Sequence, residues 1–253
     1  DKYTYQNPLN TDKPDRWEWH VCPCCPPMFL KIMAAMPGYI YAYQGDNVYV
    51  NLFIGSEVRV PVGKSNSVRL KQLTSYPWHG AVSIQVNPDK ASTFSMKVRI
   101  PGWAQGTENP YDLYQSNLKA PVKLKVNQED VLLRIVDGYA EINREWKKGD
   151  HIELELPMQP RLITANKAVE NLRGQVALAS GPIIYCFEDA DNPELQTFKL
   201  QAQTPLELSH DSNLLNGVNI IKCQGDIPAK AIPYYAVANR EESHSYKVWI
   251  PQK

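Results

Sequence analysis

The stretch Tyr39-Ile40-Tyr41-Ala42-Tyr43-Gln44-Gly45-Asp46-Asn47-Val48-Tyr49-Val50-Asn51-Leu52-Phe53-Ile54-Gly55-Ser56-Glu57-Val58-Arg59-Val60 decides the fold class. It is rich in β-branched and aromatic residues, which suit a pleated, half-buried surface. Gln44-Gly45-Asp46 and Gly55 break it into three strand-like runs, 39–43, 47–54 and 56–60. The same texture continues outward. Runs at 68–73, 81–86, 95–100, 122–126, 131–135, 139–142 and 151–156 read as strands. Asn87-Pro88-Asp89, Pro101-Gly102, Asp137-Gly138 and Lys148-Gly149-Asp150 mark turns between them. Past a joint at Pro157-Met158-Gln159-Pro160-Arg161, strands are expected at 175–179, 183–187, 198–201, 217–223 and 246–250, with a loop from Glu188 to Glu194. Short strands at this spacing predict a mainly β fold of two antiparallel β-sandwiches, over 38–157 and 158–253. No internal repeat and no low-complexity tract is present.

Upstream lies a different kind of sequence. Residues 1–37 hold a Pro- and Asn-rich loop, then Trp19-His20-Val21-Cys22-Pro23-Cys24-Cys25-Pro26-Pro27. Pro23 and Pro26 bias Cys22 and Cys25 away from helical geometry. Pro26 and Pro27 suit the first turn of a helix, where a missing N–H costs nothing. Phe29, Ile32, Met33 and Met36 then repeat at i, i+3, i+4 and i+7, predicting a helix that Pro37-Gly38 stops. The thiols therefore sit at a helix N-terminus, where the dipole favours anions and lowers a thiol pKa.

Bulk properties exclude several classes. The chain has 253 residues, enough for one large or two medium domains, and its 27 basic and 27 acidic residues balance. With no net charge and no basic run, a nucleic-acid partner is not expected. No apolar stretch approaches the roughly 18 residues of a membrane span. No signal peptide is visible, and Asp1-Lys2-Tyr3-Thr4, without an initiator Met, reads as the start of a piece cut from a longer chain. Of five cysteines, Cys186 and Cys223 lie in apolar runs and read as buried strand thiols; a disulfide between them is the alternative. This cysteine usage leaves the compartment open.

The thiol cluster admits several readings. Cys22 and Cys25 form C-x-x-C, half of many zinc sites, with His20 as a further candidate ligand beside its structural reading. No second C-x-x-C exists, and the βαβ context of a redox C-x-x-C is absent. Simple burial at a helix start is the plainest alternative. Asp46, Glu57, Glu141, Asp150 and Glu153 fall at strand ends or on alternating faces and read as solvated. Trp78 and Trp103, beside turn residues, could stack on sugar rings or simply pack loops. Tyr185 and Tyr235 are expected to pack in a sandwich core.

Cys22-Pro23-Cys24-Cys25-Pro26-Pro27, its following helix and Pro37-Gly38-Tyr39-Ile40-Tyr41-Ala42 resemble glycoside hydrolase family 127, the β-L-arabinofuranosidase group. Further segments are similar to the same family: 49–56, Tyr76-Pro77-Trp78-His79-Gly80, Arg99-Ile100-Pro101-Gly102-Trp103-Ala104, 176–178, 181–186, 232–236 and 248–251. Met28 stands where the usual pattern has Asn, and Trp17-Glu18-Trp19-His20 departs from the common Trp-Phe pairing.

The resemblance implies an (α/α)6 barrel followed by two β-sandwiches. Residues 1–37 would then be the barrel's last loop and helix, and the remainder of the same enzyme a partner. It further implies that the last strand returns to the first sandwich. By position, Cys24 would be the nucleophile and a Zn2+ ligand, Cys25 the second zinc ligand, and Cys22 a substrate-lining residue. The other zinc ligands, a Glu and a Cys, and the acid/base glutamate would lie outside these residues. The implied substrate is a carbohydrate, β-L-arabinofuranose or a related rare sugar of plant glycans, hydrolysed with retention. Two readings from other classes stand beside it. One is a non-catalytic carbohydrate-binding β-sandwich module. The other is a structural zinc domain held by Cys22 and Cys25, for which Cys24 is dispensable.

Overall fold

The structure, a computed structural model, describes residues 4–18, 21, 22 and 24–253. Strands make up 44% of it and helices 11%, so the fold is mainly β as expected. The chain divides into two compact units. One comprises Pro23–Gln105 and Ala120–Pro157; the other comprises residues up to Cys22, Gly106–Lys119 and Met158–Lys253.

The first unit holds a six-stranded and a five-stranded sheet among the described residues. In the larger sheet the order is Glu129–Asp130, Lys123–Val126, Asp150–Glu155, Ala81–Pro88, Asn66–Thr74, Ser56–Val62. In the smaller it is Ile135–Val136, Tyr139–Trp146, Ser92–Arg99, Asn47–Val50, Tyr41–Gln44. The strict alternation of Ala81-Val82-Ser83-Ile84-Gln85-Val86 buries every second residue, because successive side chains of a strand point to opposite faces. Val68, Leu70, Val82, Ile84, Val86 and Ile152 from one sheet, and Val48, Val50, Phe94, Met96, Val98 and Trp146 from the other, form the core. Each such aliphatic side chain contributes about 1.5–3 kcal/mol when fully buried. The Trp146 indole N–H donates to Phe94 O at 3.1 Å, so even this large buried ring leaves no polar atom unpaired.

Most ladders are antiparallel, in line with the expected antiparallel sandwiches, and Asn47–Val50 runs parallel to Ser92–Arg99. Several boundaries also shift. Tyr39 and Ile40 belong to a helical turn, Pro37–Ile40, that Pro37 can start because its ring pre-sets φ. The 47–54 run ends at Val50, and Gln72 reaches from a neighbouring strand to donate to Leu52 O and Ile54 O at 3.1 and 3.0 Å. Residues 131–134 are loop, whereas Glu129–Asp130 is a strand entered through Asn127 and Gln128, both at positive φ.

The second unit is built on a ten-stranded sheet among the described residues. Its main path runs Leu206–Asp211, Val218–Cys223, Ala229–Pro233, Ile183–Glu188, Gln175–Ser180, Arg161–Ala165, Tyr114–Ser116. Both faces are buried, so Gln175–Ser180 reads as an almost continuous run of buried residues rather than an alternating one. Leu178, Phe187, Phe198 and Ile221 lie in the cluster on one face. Ala177, Cys186, Ile220 and Trp249 lie in the cluster on the other. The strands Arg161–Ala165, Leu206–Asp211 and Ala229–Pro233 were not expected, while the 198–201 run contributes only an isolated bridge from Leu200 to Gln252.

Three excursions of the chain complete this sheet. Tyr114–Ser116, inside the sequence of the first sandwich, pairs with Arg161–Ala165. Tyr246–Lys247 pairs with Ile183–Glu188, and Ile250–Pro251 with Gln175–Ser180. The terminal strands thus stay in the C-terminal sheet instead of returning to the first sandwich, because Tyr246, Val248, Trp249 and Ile250 are buried in its two clusters. The third excursion is N-terminal: Asn10–Thr11 pairs with Tyr246–Lys247.

Two buried charge clusters brace the second unit. Arg161, 2% exposed, forms a fork with Glu108: Nε to Oε1 at 2.6 Å and Nη2 to Oε2 at 2.8 Å. Its Nη1 donates to Gly181 O at 2.7 Å. Elsewhere the buried Glu188 carboxylate accepts from Ala238 N–H at 2.6 Å and pairs with Arg240, which also reaches Asp191 at 2.6 Å. Burial pushes the Asp191 carboxyl up, but bonds from Arg240 and Lys230 outweigh it and hold it below its usual range.

Candidate active site

The thiol cluster was the sharpest chemical signal in the sequence, and the structure places its two later members together. An α-helix runs Cys25–Ala35 with Cys24 as its N-cap. Pro26 and Pro27 occupy the positions whose amides normally receive a capping bond, and prolines have none to give. This accounts for the lack of a side-chain cap from Cys24 to its own helix. The Cys24 and Cys25 Sγ atoms stand 3.8 Å apart, and both residues are exposed. Cys22 is exposed too, but it belongs to the other compact unit. His20, Trp19 and Pro23 lie outside the described residues.

The thiol pair can be tested against a tetrahedral metal. Two thiolates bound at about 2.3 Å each stand about 3.8 Å apart across a tetrahedron, and that is the separation found here. Among the described residues no group of three His, Cys, Asp or Glu is arranged to hold a metal, and the pair is Cys24 with Cys25.

The helix carrying the thiols buries none of its residues. Met28, Phe29, Leu30, Ile32 and Met33 are 51–66% exposed. The expected face of Phe29, Ile32 and Met33 is therefore joined by Met28 and Leu30 on other faces. Apolar residues on all sides mark a helix that lies inside a protein.

The other cysteines behave as core residues. Cys186 is buried among the cluster on one face of the ten-stranded sheet and Cys223 in the cluster on the other, so no disulfide can join them. Burial pushes the Cys186 thiol well up and the Cys223 thiol up to about 12. Alkylation of native protein at pH 8 is expected to spare both thiols, which should label only after denaturation. Label on Cys186 in the native state, read by peptide mass, would contradict its placement.

Remaining candidates separate by exposure. Trp103 is only 8% exposed in the 3-10 turn Gly102–Gln105, which removes it as a sugar-stacking ring. Trp78 stays 37% exposed. Tyr185 is buried in the core as expected, whereas Tyr235, at 55% exposed, is not. Tyr235 lies in the 3-10 turn Tyr234–Ala236, of which only Ala236 is buried. Asp46, Glu57 and Glu153 are exposed; Glu141 reaches Lys97 at 3.9 Å. Asp150 accepts from Lys147 N–H at 2.8 Å and Asn127 Nδ2 at 2.9 Å, which closes a turn. Sequence reasoning missed Arg161 and Glu108. An arginine opening the apolar run Leu162-Ile163 was the available signal.

Comparison with known proteins adds the family. Residues 47–158 match the profile described as "Beta-L-arabinofuranosidase, GH127 middle domain", and residues 160–251 match "Glycoside hydrolase family 127 C-terminal domain". The chain belongs to glycoside hydrolase family 127. Among similar proteins is the non-reducing end β-L-arabinofuranosidase of Bifidobacterium longum subsp. longum, 28% identical over 95% of this chain and 40% of that protein. A solved GH127 β-arabinofuranosidase superposes with a TM-score of 0.91 at 34% identity, covering all of this chain and 42% of that one. A GH127 β-L-arabinofuranosidase from Geobacillus stearothermophilus T6 gives 0.87 at 33% identity, over all of this chain and 43% of that one. The family 127 chain described here thus spans about two fifths of the length of these relatives.

Proposed function

We propose that this chain is part of a retaining glycoside hydrolase that uses Cys24 as its nucleophile and releases β-L-arabinofuranose or a related rare sugar from plant glycans. The observation that carries the reading is the exposed Cys24–Cys25 pair, 3.8 Å apart at the start of a helix, in a family 127 chain. The sugar follows the relatives' β-L-arabinofuranosidase activity.

Retaining glycosidases ordinarily use one carboxylate as nucleophile and another as acid/base. Here the Cys24 thiolate attacks the anomeric carbon. A C–S bond forms as the glycosidic C–O bond breaks, and the departing oxygen takes a proton from an acid outside this chain. Water then gives its proton back to the conjugate base of that acid and attacks the same carbon from the opposite face, the C–S bond breaks, and the Cys24 thiolate is restored. Two inversions give net retention. Cys24 and Cys25 would hold Zn2+, which keeps a coordinated thiol deprotonated. Pro26 and Pro27 leave the thiolate few amide donors, so the helix dipole adds only about 0.3–1 kcal/mol. Cys22 would line the sugar pocket. The residues of the complete enzyme outside this chain would cover the apolar helix Cys25–Ala35 and supply the acid/base and the other zinc ligands.

The test is the intact mass of the complete enzyme after reaction with a thiol-directed arabinofuranosyl inhibitor. A single adduct, mapped to Cys24, is expected. An adduct on another residue, or none with the thiols intact, overturns the assignment.

A further inference from the structure

Cys24 and Cys25 stand at one end of an eleven-residue helix that buries none of its residues. Its other end carries the connection to the first sandwich. Met36 keeps helical dihedrals, φ −50° and ψ −44°, and leads into the turn Pro37–Ile40, where the Tyr39 N–H bonds to Met36 O at 2.9 Å. Ile40, 6% exposed, is the first buried residue after the thiols. Its carbonyl accepts from Asn51 N–H at 2.8 Å and from Leu52 N–H at 3.4 Å. Cys24, Ile40 and residues 51–56 lie in one compact unit, and the structure describes every residue between them.

The segment that receives Ile40 is clamped from both sheets of that sandwich. From the six-stranded sheet, Gln72, 1% exposed, brings Nε2 to 3.1 Å from Leu52 O and 3.0 Å from Ile54 O. Both carbonyls are pure acceptors, so they fix which way round the amide sits. The hydroxyl of Tyr41, the residue after Ile40, lies 3.3 Å from the same nitrogen and 2.9 Å from Ser56 Oγ. Ser56 gives its one hydroxyl hydrogen to Ile54 O at 2.7 Å. Tyr41 therefore donates to Ser56 and accepts from Gln72. From the five-stranded sheet, Tyr139 donates its hydroxyl to Asn51 Oδ1 at 2.8 Å. Gln72 Oε1, although buried, has no hydrogen-bond partner among the described residues. A buried acceptor left unmade is costly, so this side chain serves the site through its donors.

We propose that Gln72 is a positioning residue for the Cys24 thiol: it fixes the foot of the helix that carries the thiol at its far end. The eleven-residue helix is about 16 Å long. A tilt of about 5° at its foot swings the far end by about 1.4 Å. A displacement of about 1 Å at a reacting group can cost about 100-fold in rate. The helix has no buried residue of its own to resist such a tilt against the sandwich. For its catalytic consequence the proposal rests on Cys24 being the nucleophile; for its structural content it does not.

The experiment compares Gln72→Met and Tyr139→Phe in the complete enzyme with Ile152→Val, which loosens the core of the same sandwich without removing any bond at the foot. The rate of Cys24 alkylation by iodoacetamide after chelator treatment is read by peptide mass, beside kcat, KM and the urea midpoint. Gln72→Met keeps the length of the side chain and loses its donors. It is expected to change Cys24 labelling by about threefold or more. It should lower kcat about 10-fold or more with little change in KM, since displacement of a reacting group costs rate rather than ground-state binding. Tyr139→Phe, which loses one hydroxyl at a half-buried position, should move the same readouts by less, and it decides the matter if Gln72→Met does not fold. Ile152→Val should lower the urea midpoint and leave labelling and kcat unchanged. Unchanged Cys24 labelling in the deciding variant, the result if residues covering the helix hold it alone, overturns the proposal. So does an equal change in Ile152→Val, which reports general loosening. Altered Cys24 labelling with unaltered kcat upholds the foot and counts instead against Cys24 as nucleophile, so the two readings fail separately.

Discussion

Replacing Cys24 with serine is expected to lower turnover of the complete enzyme by about 10³-fold or more while the protein stays folded. The change is one atom at an exposed position. Serine is usually a favourable N-cap, but here it gains nothing, because Pro26 and Pro27 offer no amide at the positions a cap bonds. Stability should therefore move little, and any loss of rate reports chemistry. A serine hydroxyl stays protonated where a thiol ionises, so the attack on the anomeric carbon fails. The companion measurement is metal content. Under the proposed function Cys22→Ala keeps its zinc while Cys24→Ala and Cys25→Ala lose it. A structural zinc site on Cys22 and Cys25 gives the opposite result for Cys22 and Cys24. Normal turnover in Cys24→Ser ends the nucleophile assignment.

The second large effect concerns stability. Glu108→Gln is expected to destabilise the protein by about 3–5 kcal/mol, because it leaves the Arg161 guanidinium buried without its countercharge. The pair is a two-bond fork with Arg161 only 2% exposed, so water cannot replace the lost carboxylate. The urea midpoint should fall accordingly. Replacing both partners, Glu108→Leu with Arg161→Met, should recover most of the loss, since removing both charges also removes their desolvation cost. A loss of stability of less than about 1 kcal/mol in Glu108→Gln would falsify the description of this pair as a buried ion pair.

The fold class was legible because its signal is local. Alternation in 81–88 and the Asp137-Gly138 turn, both residues at positive φ, are properties of neighbouring residues. What escaped was set by distant partners. Arg161–Ala165 looked like a joint because its first residue is charged and follows a proline; only Glu108, 53 residues earlier, makes that arginine a core residue. Glu129–Asp130 was hidden because Gln128 fills a turn position that glycine or asparagine usually marks. Tyr39–Ile40 was read as strand from its aromatic and β-branched residues, yet Pro37 and the Tyr39 N–H to Met36 O bond at 2.9 Å make a turn of helix. At the candidate site, the sequence located the thiols and the helix they begin. The bonds from Arg16 to Val237 O and Tyr235 O were invisible, since backbone carbonyls carry no side-chain signature.

The borrowing of 106–119 by the C-terminal sheet governs how family 127 proteins can be recombined. A chimaera joined at residue 158 would look modular, since the two family domains meet there. It would nevertheless hand the donor's sheet a foreign edge strand, Tyr114–Ser116, and a foreign residue opposite Arg161. Between relatives only 28–34% identical, such mismatches are to be expected. The heritable unit of the C-terminal domain is therefore discontinuous: 106–119 and the N-terminal segment through Arg16 must travel with 158–253 for an exchange to succeed.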